Sequence, residues 1–524
     1  MASTDDNDAQ AASSQDRFSS RWGLILSILG IAVGTGNIWR FPRIAATNSG
    51  DSGAGAFLVA WLVFLFLWSI PLIVAEYALG RTGRKGVVGT FARLAGEKLT
   101  WAGAFVGAVA TAIMCYYSVI AGWAIFYFIE TLVRPLPLSP QGANAVWDTF
   151  QAEGWPVLFH AVAMGVGGSV VWRGVSSIER ANKVLIPTLL GVVVLALGYT
   201  MTLEGAWQGI AFLFSPDWGT LAKPGLWVEA LTQNAWDTGA GWGLILTYAA
   251  YMQSRHGVVK NAVITGVGNN TVSLLAGMLI FGTVFATLGA QVPESEVLSI
   301  MQQSGPAGTG LTFIWMPQLF AQMPIGKVLA VFFFLGLAFA AFSSLISMIE
   351  LTTRVLVDLG LSRGRAVAAV GGGGLLLGLP SALSTSVLAN QDFVWGVALL
   401  VSGALVAFAI IRYGPGRMRN TLLEGAASDW DPTRGWVALI GLLVPLQAAG
   451  LLGWWLVYVY REGAAPWFDP FAAGSLANFL LQWGLVLAAL GAANQWMARS
   501  TLPERFAPSG VPKGTPEQAS EPAE

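Results

Sequence analysis

From about residue 22 onward, long apolar runs alternate with short polar or charged breaks. Twelve such runs fall at roughly 22–46, 56–80, 100–130, 156–172, 182–203, 226–253, 259–289, 324–357, 365–380, 390–413, 435–458 and 471–498. About 20 apolar residues is the length of a bilayer-spanning helix, whereas strands of a membrane barrel need only about 10 alternating ones. Backbone polar groups in lipid must be satisfied within the segment, so helices are the predicted elements. The pattern therefore predicts an all-α integral membrane protein of twelve transmembrane helices. Residues 1–20 are rich in Ser, Gln, Asp and Ala, and they lack the basic start, short apolar core and cleavage site of a signal peptide. They and the Pro-, Glu- and Ser-rich stretch 503–524 are expected to be disordered tails.

Composition agrees. Of 524 residues 55% are hydrophobic and only 11% charged, against about 25% charged in soluble proteins. The 63 glycines and 23 tryptophans are residue types enriched in membrane helices. A soluble enzyme, a secreted disulfide domain and a nucleic-acid binder are excluded on these grounds. Cys115 is the one cysteine, so no disulfide can form within the chain. The net charge of −1 says nothing about partners. His160 and His256, the two histidines, have no metal-ligand partner at useful spacing and read as structural.

Basic residues set the orientation. With both termini in the cytoplasm, all of the 28 Lys and Arg fall on the cytoplasmic side except Arg40, Arg43, Arg134, Lys223, Lys327 and Arg461. That bias supports twelve spans in the cell (inner or plasma) membrane with both ends inside.

Two runs are interrupted by glycine. The first contains LSILGIAVGTGNIWRFP, with Gly30, Gly34 and Gly36, and the sixth contains QNAWDTGAGWGLILTYAAY, with Gly239, Gly241 and Gly243 beside Asp237. Glycine costs about 1 kcal/mol relative to alanine in a helix, so both runs are predicted to unwind near mid-membrane. First and sixth are the positions two inverted five-helix repeats would give: 21–203 and 226–413, with helices eleven and twelve (435–498) appended. Broken helices in equivalent places point to a transport site, where freed amides bind carboxylates and freed carbonyls bind cations. Close helix packing through small residues is the competing reading of any single glycine cluster.

At GIAVGTGNIWRFP the chain resembles the neurotransmitter:sodium symporter family, whose members share the LeuT fold. The resemblance spans about residues 18–460 and continues in SIPLIVAEYALGR (69–81), YYSVIAGW (116–123), LTYAAY (246–251), FAAFSSLISMIE (339–350) and NQDFVWG (390–396). It implies inward carriage of an amino acid or a related amine with sodium, by alternating access. It implies two sodium sites. The second would use the carbonyls of Gly30, Val33 and Ala340 and the hydroxyls of Ser343 and Ser344, although adjacent helical serines usually bond back to the preceding turn. The first would use the carbonyl of Ala32 and the side chains of Asn37, Asn269 and position 237.

The family normally carries Ser or Thr at position 237; this chain carries Asp237. A carboxylate at membrane depth is costly and by default functional and paired. The places of the family's chloride ligands hold Trp61, Gln233, Asp237, Asn269 and Ser273, so the chloride-binding tyrosine is lost and a fixed negative charge stands beside the ion's place. The leading reading is that Asp237 replaces chloride and ligates or neutralises sodium, making chloride unnecessary. Gripping a substrate ammonium and exchanging a proton during return are the alternatives.

By the same resemblance a substrate carboxylate meets the amides of Thr35 and Gly36 and the Tyr117 hydroxyl, since Gly34 stands where amine carriers have Asp. An amino group meets the carbonyls of Ala32, Trp236 and Asp237. The wall comprises Ile113, Trp236, Trp242, Leu345 and Met348. Trp242 together with Gly239 resembles glycine and proline carriers, which favours glycine, alanine, or an imino or N-methylated relative; an indole face suits a methylated ammonium. The bland reading of both tryptophans is helix packing. Arg40 and Asp392 match the outer gate, and Asp358 and Tyr251 the inner one. The family's N-terminal Arg does not align: Gln15 holds its place, Arg17 lies two residues on, and Phe18 replaces a Trp. Glu76 is expected to be a structural acid that holds freed amides. The loop TNSGDSGAGA (47–56) is a departure without functional reading. A non-transporting receptor or scaffold of the same fold is the alternative; a membrane enzyme lacks any base–nucleophile pair. The oligomeric state, a homodimer included, is left open.

Overall fold

The computed structural model describes residues 17–503 apart from 254, 290, 303–307, 426–428 and 463–464. The described residues form helices joined by short loops. Ten continuous helices are long and apolar enough to cross a membrane, and the first predicted run makes an eleventh crossing as a bent pair. In order they are α1, in two pieces Arg21–Ala32 and Gly36–Thr47 inclined at 51°; α2, Gly55–Gly83; α3, Glu97–Val133; α4, Trp155–Trp172; and α5, Val175–Thr200. After α6 come α7, Val259–Leu288; α8, Gly326–Asp358; α9, Arg363–Leu383; α10, Thr385–Tyr413; α11, Thr433–Arg461; and α12, Leu476–Thr501. The sixth run is interrupted, as its glycines predict. It is two short helices, α6, Pro224–Asp237 and Leu244–Ala249, neither of which crosses by length alone.

Proline shapes several of these helices. A proline has no N–H and its ring clashes with the carbonyl four residues back. A wide π turn removes that clash by shifting the ladder to the fifth residue. Such turns occupy Gly36–Arg40, Leu65–Ser69, Leu311–Trp315 and Leu439–Leu443, and each is followed two residues later by a proline: Pro42, Pro71, Pro317 and Pro445.

α3 and α8 pack against each other along the middle of the bundle, with α1 and α6 beside them, whereas α12 exposes Leu480, Leu485 and Trp496. Of the expected N-terminal tail, residues 17–20 are described, and they are docked rather than loose. Phe18 is buried against Tyr248 with 5.7 Å between ring centroids. Ser19 donates to Glu179 of α5 from its amide (2.7 Å) and its hydroxyl (2.6 Å). The rest of that tail, Gln15 included, and the stretch beyond 503 lie outside the described residues. The 47–56 loop is likewise anchored: Ala54 and Gly55 donate to the carbonyls of Phe212 and Ser215 at 2.9 and 2.8 Å.

Candidate functional site

The break in α6 depends on glycine conformation. Gly239, Gly241 and Gly243 have φ of +68°, +89° and +78°, the left-handed region that other residues avoid. The amides this frees are taken up by one buried carboxylate. Glu76 Oε1 accepts from Gly241 N at 2.7 Å and Gly243 N at 3.1 Å, and Oε2 accepts from Leu246 N at 2.9 Å. The Gly241 carbonyl accepts from Ser402 Oγ and the Ala235 carbonyl from Trp242 Nε1. These freed groups of the break are thereby satisfied by the protein itself, as burial demands.

The break in α1 is built differently. Its glycines do not need left-handed backbone; they make room. A side-chain carbon on Gly34 would stand 2.8 Å from Ser344 Oγ and 3.2 Å from the Tyr117 hydroxyl, whereas one on Gly36 would meet nothing within 4 Å. Gly34 N donates to Asn37 Oδ1 at 2.8 Å, and Thr35 donates to the Tyr117 hydroxyl from both N and Oγ1 at 3.2 Å.

Between the two breaks lies a small cavity of about 30 Å³, room for one or two water molecules as it stands. Its lining includes Ala32, Gly34, Gly36, Tyr117, Trp236, Gly239, Trp242 and Met348, together with Asn37, Asp237 and Ser344 from the expected ion sites. Ile31 and Leu244 also line it and were missed; each is one residue from a recognised position. Ile113 and Leu345 are buried outside this lining, and Leu345 faces Gly167 of α4 instead. The two indoles meet edge to face, with ring centroids 5.5 Å apart, and the Trp236 ring lies 5.9 Å from the Arg40 guanidinium.

Beside the cavity a chain of polar side chains runs inward from Arg40. Arg40 Nη1 donates to Gln233 Oε1. Gln233 Nε2 and Ser273 Oγ donate to Asp237 Oδ2 at 3.3 and 3.1 Å. Asn37 Nδ2 donates to Ser273 Oγ at 2.7 Å. Asp237 Oδ1 is buried and has no hydrogen-bond partner among the described residues. The inward arm of the Asn269 amide lies 3.0 Å from the backbone oxygens of both Ala32 and Asp237. Carboxylate, carbonyl and amide oxygens of this kind are the ligands a hard cation takes. Trp61 stands apart from this chain: its ring packs on Phe41 at 4.6 Å and its Nε1 has no partner.

The second cluster joins α8 to α1. Ser343 Oγ donates to the Val33 carbonyl at 3.4 Å and to Ala340 O at 2.9 Å, while Ser344 Oγ reaches the carbonyls of Gly30 and Ile31 at 3.3 Å. The bond to Ala340 is the expected return to the preceding turn, yet both hydroxyls also face the α1 break. Contacts of 3.3–3.4 Å are long for O–H···O bonds. They match the roughly 3.3–3.7 Å between neighbouring ligands of a hard cation held, as calcium is, at about 2.3–2.6 Å.

Arg40 and Asp392 are not in direct contact, whereas Asp358 and Tyr251 meet through Arg354, which pairs with the first and lies over the ring of the second at 5.2 Å. Asp392 is exposed and accepts from Tyr116 at 3.1 Å, while Arg40 turns to Gln233 and lies 4.0 Å from Glu229. At the other end of the bundle Asp358 accepts from Gly86 N at 2.6 Å and pairs with Arg354 at 3.1 Å. Tyr251 donates to Glu350 at 2.7 Å, and Glu350 pairs with Arg363 at 2.5 Å. Arg17 is exposed and enters none of these pairs. Arg354, Arg363 and Glu350 were missed, although an acid in a long apolar run was a readable signal for Glu350.

The chain belongs to the sodium:neurotransmitter symporter family, whose model matches residues 15–154 and 153–421. It is 32% identical over 374 residues to an uncharacterized sodium-dependent transporter of Methanocaldococcus jannaschii, covering 68% of this chain and 73% of that one. It is 27% identical over 388 residues to the creatine transporter of Torpedo marmorata, covering 65% and 61%. Among solved structures, MhsT in complex with L-phenylalanine superposes with a TM-score of 0.73 at 30% identity, covering 83% of this chain and 99% of that one. The protein is thus a sodium-dependent membrane transporter of the LeuT fold and not an enzyme.

Proposed function

We propose that the protein imports a small zwitterionic amino acid (glycine, alanine, or an imino or N-methylated relative) with sodium, and that it needs no chloride because Asp237 supplies the negative charge. One observation carries this reading: a buried carboxylate oxygen without a partner, in the wall of a small cavity, beside a convergence of neutral oxygens. With sodium in the first site, Asp237 either ligates it or neutralises it from the next position. The substrate carboxylate faces the α1 break, where the Thr35 and Gly36 amides and the Tyr117 hydroxyl are the donors. Its ammonium faces the carbonyls of Ala32, Trp236 and Asp237. Sodium in the second site joins α8 to α1 and steadies the outward-facing arrangement.

The state described fits that role, with both termini cytoplasmic. At the extracellular end Asp392 is exposed and not joined to Arg40. At the cytoplasmic end Phe18 is buried and the Asp358–Arg354 and Glu350–Arg363 pairs are made.

Uptake of labelled glycine or alanine into proteoliposomes, driven by an inward sodium gradient, tests the reading. Accumulation that collapses when sodium is replaced by choline is the expected result. Absence of accumulation for the whole class would favour the receptor alternative. The L-phenylalanine complex of MhsT supports an amino acid as cargo, and the size of that cargo rests on Trp242. That indole is fixed by its bond to Ala235 O at 2.9 Å. Trp242→Phe is expected to improve uptake of longer side chains relative to glycine by about tenfold, the discrimination roughly one or two methylenes command in an apolar pocket. Unchanged selectivity in a competition assay would remove Trp242 as the size filter.

A further inference from the structure

One buried side chain beside the second cation cluster has no role in the scheme so far. Asn182 lies on α5 and is fully buried. Its Nδ2 returns to Ile178 O at 3.1 Å, a bond within its own helix. Its Oδ1 has no hydrogen-bond partner among the described residues. Leaving a buried amide oxygen unpaired is costly, so such an atom calls for a partner that protein groups do not supply.

Its position suggests which. The point where a side-chain carbon on Gly30 would stand is 2.6 Å from Asn182 Oδ1 and 3.2 Å from Ser343 Cβ. Asn182 Oδ1 therefore lies at the same small space as Gly30, whose carbonyl meets Ser344 Oγ, and Ser343, whose hydroxyl meets Val33 O. Glycine at position 30 is what lets α5 approach this closely; any side chain there would displace the amide. A C–H···O contact to Gly30 Cα is the mundane alternative, and such contacts are weak. An amide oxygen is chemically the same ligand as the backbone carbonyls already gathered there, the kind that replaces the hydration shell of an alkali cation.

We infer that Asn182 supplies an additional oxygen to the second sodium site, so that the ion is held by three helices, α1, α5 and α8, rather than two. The inference rests on the reading of that cluster as a sodium site. Asn182 also lies one turn from Glu179, which fastens Ser19, so the same helix carries both a sodium ligand and an anchor of the N-terminal segment.

The test is a thermal-unfolding titration of the purified full chain in detergent without substrate, exchanging choline chloride for sodium chloride at constant ionic strength. The wild-type midpoint is expected to rise with sodium, because an ion that binds only the folded state stabilises it. In Asn182→Ala the half-saturating sodium concentration is expected to increase at least tenfold. In Asn182→Asp it is expected to decrease, since a carboxylate replaces a neutral oxygen. A lower midpoint without sodium combined with an unchanged sodium titration would mean that Asn182 only packs, and would overturn the inference. If the alanine variant cannot be purified, Asn182→Asp decides: a shift to lower sodium supports the assignment and an unshifted titration overturns it. A wild-type midpoint indifferent to sodium would instead defeat the underlying reading of the cluster.

Discussion

Glu76→Ala is expected to abolish sodium-driven uptake and to destabilise the folded chain by about 3–5 kcal/mol, the usual cost of removing one partner from a buried charged interaction. The carboxylate is fully buried and accepts from three amides of the α6 break. Alanine leaves Gly241 N, Gly243 N and Leu246 N without acceptors in a region that admits little water, at about 1–3 kcal/mol each. Relief from burying the charge offsets part of that loss. Glu76→Gln separates shape from acceptor capacity. Its single oxygen can keep the arm that serves Gly241 and Gly243, while its amide nitrogen then faces the Leu246 N–H, donor against donor. The glutamine variant should fold with a smaller loss of stability and retain reduced uptake. An alanine variant with wild-type midpoint and wild-type uptake would show that the break does not depend on Glu76.

The second large effect concerns the anion. Wild-type uptake is expected to be the same in chloride and gluconate, whereas Asp237→Ser should lose at least about tenfold in apparent sodium affinity without chloride, or ~1.4 kcal/mol, and recover when chloride is added. The groups that would receive the anion are in place: Gln233 Nε2 and Ser273 Oγ already donate toward the carboxylate, and serine would open the volume between them. Asp237→Asn is the informative control. It removes the charge but keeps the size, so no volume opens for an anion and chloride should not rescue it. Chloride-dependent uptake by the wild-type protein would end the replacement idea outright. Rescue of the asparagine variant by chloride would show that supplied charge alone restores uptake and that the volume opened by serine is not required.

Much of this architecture was legible before any coordinates. Apolar runs of bilayer length marked the helices, and the clusters at Gly30–Gly36 and Gly239–Gly243 marked both interruptions. Glycine acts differently in the two. In α6 it permits left-handed backbone, whereas in α1 it admits Asn182, Ser344 and Tyr117. Ser343, Ser344, Asn37 and Asn269 could be placed because short motifs fix them on a known face. Facing was harder where a helix is apolar all round: nothing in the sequence of α3 or α8 distinguishes the side that lines the cavity, and Ile113 and Leu345 lie outside its lining. Ionic partners were hardest. Asp358 meets Arg354 and Gly86, and Arg40 meets Gln233, because a long guanidinium or a backbone amide can reach an acid from several turns or another segment away. Which one arrives depends on how the helices cross.

The interruption in α6 is held open by groups belonging to the chain: three glycines, one carboxylate and the Ser402 hydroxyl. Its ordering entropy is consequently spent once, at folding, and not again at every turnover. A receptor surface prepared in this manner does not deduct reorganisation from ligand affinity, and it also makes a poor moving joint. Motion that exposes the cargo alternately to each side should then pivot at the ends of the rigid pieces, and amide hydrogen exchange at Gly241 and Gly243 should stay slow throughout the transport cycle.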